Sequence, residues 1–183
     1  RAEAAFEIDP FSSDTWKAKI LSHYFYGQHD ASLKAIETAL NGNFRSVHLE
    51  MDIARVYLYL GMYHEVIEHI ERFMEAYEKL RESPRPSALR AMAHFHLGNI
   101  EETNMILQQM ITKGAESSVG SPSFYLAMLH AQMGKINDAF EWLDNAYQDH
   151  EVEMYWLKVE PTFEPMRNDP RWEEMLDKVG FPD

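Results

Sequence analysis

Residues 53–73 read Ile53-Ala54-Arg55-Val56-Tyr57-Leu58-Tyr59-Leu60-Gly61-Met62-Tyr63-His64-Glu65-Val66-Ile67-Glu68-His69-Ile70-Glu71-Arg72-Phe73. Apolar residues recur at helical steps on both sides of Gly61, as in Ile53, Tyr57 and Leu60 before it and Val66, Ile70 and Phe73 after it. A glycine between two such runs suits a left-handed helix cap, where a Cβ would be strained. The stretch therefore reads as helix, tight turn, helix.

The same context recurs at Tyr26-Gly27-Gln28, Leu97-Gly98-Asn99 and Met133-Gly134-Lys135, with spacings of 34, 37 and 36 residues along the chain. A period near 35 of helix-turn-helix units predicts an all-α solenoid of helical hairpins. Aligned on the glycine, small or apolar residues fall in register. Seven before it stand Ile20, Ala54, Ala91 and Ala127; five after it stand Ser32, Val66, Thr103 and Ala139. Ile36, Ile70, Leu107 and Leu143 follow, then Ala39, Phe73, Met110 and Ala146. Small side chains are needed where two helices approach closely, and large ones where a gap must be filled. The expected helices are 1–8, 14–26, 30–41, 46–60, 63–80, 87–97, 101–113, 122–133, 137–148 and 170–179. Ser83-Pro84-Arg85-Pro86 and the stretch from Gly114 to Pro122 are the expected breaks.

These residues resemble the tetratricopeptide repeat (TPR) family. The second unit carries the likeness in Ile53-Ala54-x2-Tyr57 and Val66-x3-Ile70, the fourth in Leu126-Ala127-x2-His130 and Ala139-x3-Leu143, and the first in Trp16. Lys19 and Arg90 depart from the family's leucine, and Thr103 from its small residue. The resemblance implies a right-handed superhelical solenoid with four repeats at 13–45, 46–82, 83–119 and 120–150. Segment 1–10 would be the end of a truncated repeat and 151–183 a capping tail. The tail, from Tyr155-Trp156-Leu157 to the Asp169-Pro170 start and Gly180 stop of a last helix, is similar to that closing TPR arrays in bacterial signalling proteins. Such proteins carry class III nucleotide cyclases, serine/threonine kinases or winged-helix regulators upstream. The expected role is a non-catalytic protein–protein interaction or scaffold module of such a parent. A small-ligand-sensing solenoid is the alternative, and a hydrolase on a helical scaffold the remote one. The expected compartment is cytoplasmic, or periplasmic behind an upstream anchor of the parent.

Composition narrows the function classes. The 183 residues include no cysteine, which excludes disulfide scaffolds, thiol nucleophiles and thiolate metal sites. No run reaches the roughly 18 apolar residues of a membrane span. With 17 basic and 30 acidic residues the net charge is −13, which repels nucleic acid. From Asp138 to Asp183 there are 13 acidic and 4 basic residues, so −9 lies in the last quarter. That end reads as a solvated surface or as a docking surface for a basic partner.

His64 and His69 superficially resemble a zinc-protease pair, but they stand five apart rather than the four that place two ligands on one helix face. His23, His94 and His130 occupy one repeat position, whose copies lie about 10 Å apart in packed helices, too far to share a metal. They are expected as half-buried, hydrogen-bonded imidazoles. No metal or cofactor is expected, and phosphate-loop and nucleophile-elbow motifs are absent from the sequence.

In the TPR family the first helices of the hairpins line a concave groove. The resemblance implies that Lys17, Tyr24, Arg55, Tyr59, Met92, His96, Met128 and Gln132 face it and contact a protein or peptide segment. A terminal-carboxylate clamp is matched by Lys17 and Arg85 but not by Leu21, Asp52 or Leu89, so that use is not expected. Reversing Arg55 and truncating Tyr59 is expected to weaken partner capture with little change in melting temperature. The chain opens Arg1-Ala2-Glu3-Ala4-Ala5-Phe6, as if inside a helix, and reads as a fragment expected to dimerise through the bare side of that helix.

Overall fold

The computed structural model describes residues 9, 12–116 and 120–181, and helices account for every regular element among them. These are α1 (Ser13–Phe25), α2 (His29–Asn41), α3 (Val47–Tyr59), α4 (Tyr63–Ala76), α5 (Pro84–His96), α6 (Ile100–Glu116), α7 (Pro122–Gln132), α8 (Ile136–Gln148) and α9 (Arg171–Val179). Short 3-10 helices occupy Glu78–Leu80, Val152–Trp156 and Pro161–Met166. The expected helix 1–8, with its dimer contact through Ala2, Ala5, Phe6 and Ile8, lies outside the described residues. The chain forms two compact units, Arg1–Ala76 and Tyr77–Asp183.

In the amino-terminal unit α1 packs on α2, α3 on α4, and α1 on α3. Trp16, Ile20, Ile36, Ala39, Leu49, Ile53 and Val56 form its core, closed by Phe44, whose ring centroid lies 5.5 Å from that of Trp16. Ser12 and Ser46 cap α1 and α3 by accepting the amide protons of Asp14 and Leu49. In the carboxyl-terminal unit α5 packs on α6, α7 on α8, and α5 and α6 on α7, while the 3-10 helix Pro161–Met166 also packs against α7.

Each hairpin turn has one construction. Gly61 sits at φ +72°, the Met62 amide donates to the Tyr57 carbonyl at 2.9 Å, and the Gly61 amide donates to Leu58 at 3.0 Å. That is a Schellman closure. Gly27, Gly98 and Gly134 repeat it at φ +71°, +79° and +72°. The space around these three would admit a Cβ, so the left-handed backbone, not crowding, demands glycine. Between the two helices the small positions meet directly. The Ser32 hydroxyl donates to the Ile20 carbonyl at 2.9 Å, and Thr103, at the same register, reaches Ala91 at 3.5 Å. Thr103 thus keeps close helix contact through a hydrogen bond, as Ser32 does, where the other two hairpins carry the apolar Val66 and Ala139.

Three boundaries differ from the sequence reading. The helix expected over 63–80 ends at Ala76 and gives way to the 3-10 turn Glu78–Leu80. The expected break at Ser83-Pro84-Arg85-Pro86 is instead a helix start, with Pro84 at the first position of α5. Proline suits the first turn because those amides have no partner inside the helix. Helix α6 also runs past Gly114 to Glu116. The tail contains the two 3-10 helices, which carry no proper helical period in the sequence.

Candidate functional site

The eight residues expected on a groove divide between the two units. In the amino-terminal unit Tyr24 and Tyr59, at the ends of α1 and α3, bring their ring centroids within 5.2 Å. His29, from the start of α2, stacks on Tyr24 at 5.5 Å and 16°. The Arg55 guanidinium holds Tyr59 in place, with its Nε–H donating to the phenol oxygen at 2.9 Å, one helical turn away. Arg55 itself is buried, 7% exposed, and lies 3.5 Å from the equally buried Asp52. It therefore orients Tyr59 from below rather than presenting its charge to a partner. Lys17 is half-buried and paired with Asp14 at 3.2 Å.

The surface around this cluster comes from residues the sequence reading did not single out. Phe25 is 47% exposed and Tyr26 80% exposed, and Phe25 meets Tyr24 edge to face at 5.3 Å. The register signal was present: Phe25 stands two before Gly27, as Tyr59 stands two before Gly61. Tyr24, Phe25 and Tyr59 thus form a cluster at one end of α1 and α3, with rings partly open to solvent and phenol tips on the two tyrosines, and the exposed Tyr26 follows Phe25 in the chain. Amphipathic rings of this kind desolvate readily while keeping a hydrogen-bonding handle.

In the carboxyl-terminal unit Met92 and Met128 are 0% and 1% exposed, so both are core rather than groove residues. The physical reason for Met128 is that α7 is enclosed by α5, α8 and the tail. His96 and Gln132 are brought together: His96 Nε2–H donates to Gln132 Oε1 at 2.9 Å, and Gln132 Nε2 donates to the Thr162 carbonyl at 2.6 Å. The side-chain amide expected to meet a partner is thus engaged by the chain's own tail.

The tail also completes α7 at its other end. Ser121, at φ 58°, supplies no side-chain cap to the helix; its hydroxyl bonds to Glu153. The Glu151 carboxylate takes over that role, accepting the amides of Ser123 at 3.0 Å and Phe124 at 2.7 Å. A carboxylate at a helix amino terminus satisfies orphan amides and complements the helix dipole. Burial raises the Glu151 pKa, with the two amide hydrogen bonds offsetting part of that rise. Phe163 packs edge to face on Phe124 at 5.4 Å and contacts Trp172 at 5.8 Å. Helix α9 then lies along α8, with Arg171 over Phe140 at 4.3 Å and Lys178 over Tyr147 at 4.6 Å.

His23, His69, His94 and His130 each act within their own hairpin. His23 meets Gln28 at 2.7 Å and His94 meets Asn99 at 3.3 Å, each across its own turn. His130 is buried, with Nδ1 3.3 Å from Asp138, and burial lowers its pKa against the opposing pull of that carboxylate. His64 is exposed, whereas His69 is buried with Nε2 2.9 Å from the Glu50 carboxylate. Burial tends to raise the Glu50 pKa, but the hydrogen bonds and charges of His69 and Arg45 outweigh it and hold the carboxyl low. Among the described residues no three His, Asp or Glu side chains converge as metal ligands, and no helix is long and apolar enough to cross a membrane. No family model and no curated protein matches this chain.

Proposed function

We propose that this chain is a non-catalytic protein-interaction module, a TPR-like right-handed solenoid that takes an extended or helical peptide segment of a partner protein. Support for the architecture comes from the regular spacing of the glycine turns and their common Schellman closure. The packing of first helix on first helix within each unit also supports it. The observation that carries the binding role is the half-open aromatic cluster of Tyr24, Phe25 and Tyr59, held from beneath by Arg55, with the exposed Tyr26 next along the chain. Clustered tyrosines on a rigid helical base are the residue type that dominates interface energetics, at roughly 2 kcal/mol or more for each hot spot. A regulatory role within a bacterial signalling protein, and with it a cytoplasmic place, rests on the family resemblance and belongs to the same proposal.

Selection of displayed random peptides on the wild-type chain tests the binding role, followed by titration of the enriched peptide against Phe25→Ser with Tyr26→Ser. Both residues are exposed, so the melting temperature should not move. The expected result is an enriched peptide whose affinity falls about tenfold or more in the variant. Failure to enrich any peptide, or an enriched peptide indifferent to the two substitutions, overturns the assignment.

A further inference from the structure

The tail carries a second surface, independent of the aromatic cluster on α1 and α3. From Glu151 to Glu160 burial follows a three-residue period. Glu151, Met154, Leu157 and Glu160 are buried, while Val152, Tyr155 and Lys158 are exposed. Three residues is the repeat of a 3-10 helix, in which side chains three apart eclipse one another. It matches the 3-10 helix Val152–Trp156 and the turn that continues it. The inward row anchors the segment on its unit. Apart from Lys158, the outward side exposes apolar side chains that have no packing reason to be there: Val152 is 71% exposed, Tyr155 62% and Val159 50%. The Trp156 ring, partly exposed, lies against Tyr155 at 5.0 Å and extends the strip. Isolated exposed apolar residues are ordinary, but four exposed or partly exposed ones within the eight residues 152–159 mark an interaction surface.

Charge identifies the occupant. The strip lies within the stretch from Asp138 to Asp183, where carboxylates outnumber cations 13 to 4. Three of those four cations are already taken by neighbouring carboxylates, Arg167 by Glu164, Arg171 by Asp169 and Lys178 by Asp144. The end keeps a net formal charge of −9. A second copy would set the same acidic end against itself, and anionic lipid or nucleic acid would be repelled in the same way. A cationic partner is attracted by charge and can cover the apolar strip at once.

We propose that Val152, Tyr155, Trp156 and Val159 form a docking strip for a basic amphipathic helix of a partner protein. The helix would lay its apolar face on the strip, and its lysines and arginines would be drawn by the net negative charge of this end.

Three synthetic peptides test this on the full chain: an amphipathic Leu/Lys helix, a scrambled peptide of the same composition, and an amphipathic Leu/Glu helix. Titration calorimetry should show the first binding at least about tenfold more tightly than the other two. Val152→Ser with Tyr155→Ser should weaken it about tenfold, with an unchanged melting temperature, since both side chains are exposed. Lys158→Glu should tighten it, and Phe25→Ser with Tyr26→Ser should leave it unaltered. Equal binding of the scrambled or the acidic peptide overturns the proposal, as does indifference to Val152→Ser with Tyr155→Ser. Concentration-dependent dimerisation abolished by Tyr155→Ser would make a second copy the occupant and overturn it as well.

Discussion

Helix α1 buries only Trp16 and Ile20, whereas α7 is buried at every residue from Pro122 to Ala131. Both are the first helix of a hairpin, closed by the same glycine turn. The difference lies in what covers them. In the amino-terminal unit α1 has α2 and α3 as neighbours, and Phe25 and Tyr26 at its end remain open. In the carboxyl-terminal unit the tail adds Phe163 against Phe124, Thr162 against Gln132 and Glu151 at the helix amino terminus. The comparison teaches that equivalent repeat positions do not carry equivalent exposure. A helix end stays open in one unit and is a folding contact in the other.

The largest effect expected is removal of residues 150–183. Met154, Leu157, Phe163 and Met166 are buried, and each contributes about 1.5–3 kcal/mol on full burial. Their loss is on the order of the whole stability of a domain. Hydrogen exchange should show α7 stripped of protection and light scattering should show aggregation, while α1 to α4 keep their protection. A truncated chain with α7 still protected would break the contrast between the two helices.

Next is Arg55→Glu, which sets a second negative charge beside Asp52 where both side chains are under 10% exposed. Removing one partner of a buried pair costs about 3–5 kcal/mol. Denaturant unfolding should register that loss, contrary to the sequence-based expectation of an unchanged melting temperature. An unaltered midpoint would return Arg55 to the list of partner-contacting residues.

Glu151→Ala leaves the amides of Ser123 and Phe124 without their acceptor in a buried setting, a loss of about 1–3 kcal/mol. The loss should appear as faster exchange of those two amides, with the amino-terminal unit unaffected. If exchange at Phe124 does not change, the tail covers α7 without capping it.

The smallest effect is a pH dependence. His130 has its folded-state pKa lowered by burial, so the unfolded chain binds the extra proton first. Stability should therefore decline as pH falls below about 6.5, the ordinary histidine value. His130→Gln should flatten that decline in urea titrations between pH 8 and 5. A slope unchanged by the substitution would place the titration elsewhere.

Helix positions and turns were legible in the sequence because their causes are local. A φ near +72° at Gly61 needs glycine, Ser12 and Ser46 reach amides two or three residues ahead, and amphipathic spacing marks the second helices. The small positions were legible too, since Ser32 and Thr103 stand where helices must touch. The two proline positions around α5 were misread because proline breaks a helix interior yet fits its first turn, and the sequence does not say which applies.

What the residues determined alone was the all-helical order of hairpins and the register of their contacts. Which faces remain open was decided only by tertiary structure. Glu151 caps a helix whose first amides lie 27 and 28 residues earlier, and Thr162 closes on Gln132 across 30 residues. No local pattern announces such a contact. The exposure of Val152 and Tyr155 is likewise invisible until a three-residue period of burial sets them outward. Burial of a side chain is a property of everything that folds onto it, and most of what folds onto α7 and the tail is distant in sequence.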